Sequence, residues 1–146
     1  MEVMVSEQSP STVGSAMTTE RDFVEVRLPA DGAFVAVLRT VTAGLAARLD
    51  FTLDEIEDLR LAIDEACAML LRKARQDQEL TCLFELVGDS MLVTVTAPST
   101  DGALPAKDTF AWTVLTALAG KVDASLDADM NVSITMHKRR GGSGAP

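Results

Sequence analysis

The sequence predicts an α+β fold, a two-layer sandwich with helices on one face of a mostly antiparallel mixed sheet. Three observations predict it. Two mid-chain stretches alternate in side-chain character around Gly88-Asp89-Ser90, the pattern of a β-hairpin. Other stretches repeat apolar residues at steps of three and four, the period of a helix buried on one side. The elements come in runs, β-α-α-β-β-α-β-β, and paired strands interrupted by helices favour this layering. Such a sheet leaves its second face free or available to a partner.

Each element follows from local chemistry. Phe23, Val24, Val26 and Leu28, interleaved with Glu25 and Arg27, read as a strand stopped by Pro29. Asp31 is an N-cap for a helix with apolar Phe34, Val35, Leu38, Val41, Thr42, Leu45 and Leu49 at helical spacing, ended by Asp50 and Phe51. Thr52-Leu53-Asp54-Glu55 matches the capping box, and Asp54, Glu55, Glu57 and Asp58 put negative charge on the first turns. The second helix is predicted over 52–75, with Ile56, Leu59, Ile63, Ala66, Cys67 and Leu70 buried and Arg72, Lys73 and Arg75 at its end. Leu80, Cys82, Phe84 and Leu86 mark one face of the next strand, and 91–96 its hairpin partner. Residues 98–107 form a loop, and Asp108 or Thr109 caps a third helix over 110–121 with Trp112, Val114, Leu115 and Leu118 inward. Strands over 122–126 and 132–136 complete the domain.

The chain has 146 residues, enough for one domain, and its 47% hydrophobic and 24% charged residues are ordinary for a packed core. Residues 1–20 are expected to be a flexible tail or extra sequence from an upstream start, 21–140 the domain, and 141–146 a second flexible tail. No apolar run reaches the ~18 residues of a membrane span, and no secretory signal is visible at the N-terminus. A cytoplasmic protein is therefore expected. A net charge of −9 argues against binding a phosphate backbone, so neither nucleic acid nor membrane is an expected partner. Cys67 and Cys82 lie too far apart for common zinc spacings and read as buried thiols. The basic run from His137 to Arg140 reads as a solvated strand end.

Glu65 stands out on the second helix. At about 100° per residue it points away from the apolar stripe, beside Leu61, Ala68, Met69 and Arg72. A carboxylate there is either solvated or held over a pocket. A lone histidine makes Ser-His-Asp or Cys-His chemistry improbable, and no phosphate-binding glycine loop is present.

The segment LDFTLDEIEDLRLAIDEAC, residues 49–67, resembles the anti-sigma-factor serine kinases of the RsbW/SpoIIAB type. These belong to the GHKL (Bergerat-fold, histidine-kinase-like) ATPase superfamily, and the resemblance extends over about 23–139. It implies an anti-sigma factor that sequesters an alternative sigma factor from RNA polymerase. It also implies an anti-anti-sigma antagonist of the STAS type, phosphorylated on serine with ATP and magnesium, and a homodimer. Glu65 would be the general base, present to accept the serine proton if the chain is an active kinase. The family's magnesium-binding Asn falls on Met69, a soft thioether where a hard oxygen is needed. The adenine-binding Asp falls on Ala97, and Asp101-Gly102 comes four residues late. The phosphate-binding glycines fall on Thr109 and Ala111, flanked by Phe110 and by Trp112, whose ring is expected to crowd the phosphates. The loop over 98–108 is short for an ATP lid. No cofactor is therefore expected, and ATP binding should be lost or weak; the alternative is an active serine kinase. Without that site, control would fall to another kinase or to redox at Cys67 or Cys82. A third possibility is a regulatory domain that dimerises and binds a partner unrelated to sigma. The resemblance places sigma contact on the first helix, at Arg39 with Ala36 and Thr40.

Overall fold

The computed structural model describes residues 1–6 and 22–141. Its elements are β1 (Glu2–Ser6), β2 (Asp22–Pro29), α1 (Val35–Arg48), α2 (Leu53–Leu71), β3 (Glu79–Val87), β4 (Ser90–Pro98), α3 (Phe110–Ala119), β5 (Lys121–Leu126) and β6 (Asn131–Arg139). A single turn of 3-10 helix, Gly32–Phe34, precedes α1; Asp31 caps it by accepting from the Ala33 N–H. The strands form one sheet in the order β1-β2-β3-β4-β6-β5, and every pairing is antiparallel. The α+β sandwich is the predicted one, with no parallel component among the described strands. One expectation is corrected: Glu2–Ser6, assigned to a solvated tail, pair with β2 in register Val3↔Val26 as the sheet edge. Their alternation is too short and too far from other apolar residues to be recognised alone. Residues 7–21 and 142–146, the rest of the two expected tails, lie outside the described residues.

Side-chain alternation assigns the two faces. Val26 and Leu28, Leu80, Cys82 and Phe84, Met91, Val93 and Val95, and Ile134 and Met136 are all buried beneath the helices. On the opposite face the Thr94 and Thr135 hydroxyls lie 3.2 Å apart, and those of Thr96 and Ser133 2.6 Å apart. These cross-strand bonds satisfy polar groups on the uncovered side. Helix α2 is packed between α1 and α3 and rests on β4 and β6. Leu59, Ala62, Ile63, Ala66, Cys67 and Leu70 form its buried stripe. Both thiols are free and fully buried. Burial, with the Asp64 charge, pushes the Cys67 thiol up to about 12. Burial first, then Cys67, raises Cys82 well above the ordinary range. Both are therefore packing residues, held as unreactive thiols.

Two departures from the prediction have tertiary causes. Helix α2 ends at Leu71 because the following segment joins the end of β4: Arg75 N–H donates to the Pro98 carbonyl and Thr100 N–H to that of Lys73. Lys138 belongs to no solvated strand end; it is 2% exposed. Strand alternation sends it to the helix face, where Nζ donates to the Leu118 carbonyl (3.0 Å) and lies 3.8 Å from Asp58. Its neighbours His137, Arg139 and Arg140 are exposed.

The capping box of α2 forms as predicted. Glu55 N–H donates to Thr52 Oγ1 at 3.1 Å and Thr52 N–H to Glu55 Oε1 at 2.7 Å. Glu55 also accepts from the Gly141 N–H at Oε2, 2.6 Å away. Burial opposes its charge, but these N–H and hydroxyl donors and nearby Lys138 hold its carboxyl below the usual carboxylate range. The charged form is therefore favoured by folding, and this stability is lost as pH falls through the folded value. In urea unfolding from pH 6 to about 3, Glu55→Gln should show a flatter loss of stability than the parent chain. Identical pH profiles would remove Glu55 from that role.

Candidate functional site

Four positions separated in sequence converge. Met69 near the end of α2, Ala97 near the end of β4, and Thr109 and Ala111 at the start of α3 line one cavity of about 220 Å³. Leu70, Ser99, Ala106 and Val132 complete much of the wall, with Leu104 and Pro105 from the loop before α3. The floor is apolar and buried: Met69 is 7% exposed and Ala97 2%.

The loop over 99–109 is ordered by its own polar groups. Ser99 Oγ accepts from the N–H of Gly102 at 2.9 Å and of Asp101 at 3.3 Å. Asp101 Oδ1 accepts from Ala103 N–H at 2.9 Å, and its other oxygen lies 3.2 Å from Lys73 Nζ. The Ala103 N–H and the Lys73 ammonium hold the Asp101 carboxyl below its usual range. Gly102 has φ +67, and a Cβ there would meet the Met130 side chain at 3.0 Å. Asp101-Gly102 is thus a tight structural turn packed on Leu126 at the end of β5 and on Met130 in the β5–β6 turn. Thr109 provides the cap of α3, accepting from Trp112 N–H at 3.2 Å.

Trp112 does not crowd the cavity, contrary to the sequence expectation. Its side chain is buried on the inner side of α3, and Phe110 is 83% exposed. Leu104, Pro105 and Ala106 narrow the space instead. Sequence reasoning also missed Arg72 and Lys73, which line the mouth. Their spacing from Met69, three and four residues on, was the available signal.

Glu65 is half-buried on α2 but outside the cavity lining, and its carboxylate has no hydrogen bond or ion pair with a described residue. Its neighbour Asp64 is engaged: Arg39 Nη1 on α1 reaches Asp64 Oδ1 at 2.8 Å, both side chains more than a third exposed. Ala36 and Thr40 are exposed beside Arg39, and Thr40 Oγ1 donates to the Ala36 carbonyl at 3.1 Å. Ala36, Arg39 and Thr40 therefore form a shallow, accessible surface, with the guanidinium fixed by the neighbouring helix. No group of three or more metal-ligating side chains occurs among the described residues.

No protein-family model matches the sequence. Individual proteins do. The anti-sigma-F factor RsbW of Mycobacterium tuberculosis is 33% identical over 126 residues, covering 82% of this chain and 75% of that protein. The serine-protein kinase RsbW of Bacillus velezensis is 34% identical over 82 residues, 54% of this chain and 51% of that protein. Its counterpart in Bacillus subtilis is 33% identical over 82 residues, with the same coverage. The chain thus spans about half the length of the Bacillus relatives it matches.

The apolar floor gives a direct test. Met69→Asn, which places an amide at a buried position, should lower stability by about 1–3 kcal/mol in urea unfolding, because nothing in the floor pairs with the amide. Unchanged stability would mean that the floor is wet and polar.

Proposed function

The chain belongs to the RsbW family, and from that premise we propose that it is an anti-sigma factor that holds an alternative sigma factor away from RNA polymerase. Relief comes from an anti-anti-sigma antagonist with a competing surface. The contact surface is α1, through Arg39, Ala36 and Thr40. The protein acts in the cytoplasm as a homodimer, and β1, with Val3, Met4 and Val5 exposed and its outer edge unpaired among the described residues, offers a strand to a second copy. No helix in the described residues is long and apolar enough to cross a membrane.

The observation that carries the reading of lost or weak ATP binding is the chemistry of the cavity. Magnesium takes hard oxygen ligands, whereas the facing side chain is the Met69 thioether. Ala97 offers no carboxylate to an adenine amino group. The residues present do not fit magnesium-ATP, so no phosphoryl-transfer step is assigned. Glu65, outside the cavity and without a partner among the described residues, occupies the general-base position with no nucleotide to serve.

The net charge of −9 supports the choice of partner. Sigma factors carry basic surfaces for DNA and polymerase, and opposite charge speeds and orients encounter. The Arg39–Asp64 pair is half-exposed, and such pairs contribute at most about 1 kcal/mol to stability. Arg39 can therefore be changed without unfolding the domain.

Three outcomes follow from this reading. Affinity capture from the native cell should recover a sigma factor; capture of other proteins alone would overturn it. Arg39→Glu should weaken that capture strongly while Asp64→Asn leaves it nearly intact, since only the guanidinium meets the partner. Equal loss in both variants would reduce the pair to docking α1 on α2. Calorimetry with magnesium-ATP should give no micromolar binding; micromolar binding together with phosphorylation of the antagonist's serine that is lost in Glu65→Ala would establish the active kinase instead.

A further inference from the structure

The cavity has kept a shape after losing the groups a nucleotide needs, and its remaining chemistry is specific. Its floor, Met69, Leu70, Ala97 and Val132, is buried and hydrocarbon-like, and Leu104 and Pro105 close one side. The hydroxyls in its lining are already engaged: Ser99 Oγ with the Asp101-Gly102 turn, and Thr109 Oγ1 with Trp112 N–H and the Ala106 carbonyl. A ligand rich in hydrogen-bonding groups would therefore be desolvated without partners, at a cost. An apolar body would meet none of that cost.

The mouth differs in character. Lys73 is neutralised by Asp101 at 3.2 Å. Arg72, exposed beside it, has no hydrogen bond or ion pair with a described residue. A guanidinium with all its donors free pairs readily with a carboxylate or sulfonate. On a chain of net charge −9, this local cation is what would hold an anion here.

We propose that this cavity binds a small amphipathic anion: an apolar body seated on the Met69–Ala97 floor, with one carboxylate or sulfonate at Arg72. The site is independent of sigma capture on α1. It shares with the proposed function only the loss of nucleotide.

Anilinonaphthalene sulfonate, an apolar ring system with one sulfonate, is the probe. Titrated into the full chain, it should show saturable fluorescence enhancement at one probe per chain. Arg72→Glu should weaken binding roughly tenfold, because it sets like charges together. Ala106→Trp, a substitution at an exposed loop position that fills the cavity, should abolish it; Ala103→Trp on the same loop serves if circular dichroism shows that the first variant is unfolded. Decanoate should displace the probe and magnesium-ATP should not. No saturable enhancement, or equal binding in the parent and both kinds of variant, would overturn the proposal. Displacement by magnesium-ATP and not by decanoate would overturn it too, and with it the loss of nucleotide. Failure to capture a sigma factor would leave the probe result unaffected, so the two readings fail separately.

Discussion

The carboxylate of Glu55 joins parts of the fold that the chain itself keeps far apart. One oxygen closes the N-terminus of α2 on Thr52, and the other receives the Gly141 N–H just beyond β6. Beside it, Arg140 donates to the Leu49 carbonyl at the end of α1, and Lys138 ties β6 to the last turn of α3 through Leu118. The α1–α2 junction, the end of the sheet and α3 therefore meet around one buried acid and one buried base. Burying either alone would be costly; the donors and acceptors around them make it tolerable. The position of α2 is set here, and α2 supplies both the central core stripe and Met69 of the cavity.

From that anchored helix two features of the surface diverge. The Arg39–Asp64 contact fixes α1 against α2 and presents Ala36 and Thr40 to solvent. Met69, Arg72 and Lys73 shape the cavity a turn or more further along. Met69 and Ala97 belong to the contiguous hydrophobic core, so polar side chains introduced there would disturb packing.

Much of the fold was legible in the sequence because its signals are local. The Thr52–Glu55 box, the hairpin at Gly88 and the three-and-four spacing in α2 each depend on residues within one or two turns of each other. The same locality explains the misreadings. Lys138 looked solvated because its partners, Leu118 and Asp58, lie far away in sequence. Trp112 looked like an obstruction because its motif position said nothing of which side of α3 faces the core. Glu2–Ser6 looked like tail because a five-residue edge strand acquires its meaning only from β2.

The sequence by itself determined the α+β class, the starts of α2 and α3 and the buried thiols, and it carried the family resemblance that singled out Met69, Ala97, Thr109 and Ala111. Only the tertiary structure decided that these four share one small cavity with an apolar floor, that Arg72 has no partner among the described residues at its mouth, and that Arg39 is held by Asp64 while Glu65 lies apart. The physical reason is range. Periodicity and capping are set by neighbours along the chain, whereas a cavity's volume and a charge's partner are set by whatever packing brings alongside.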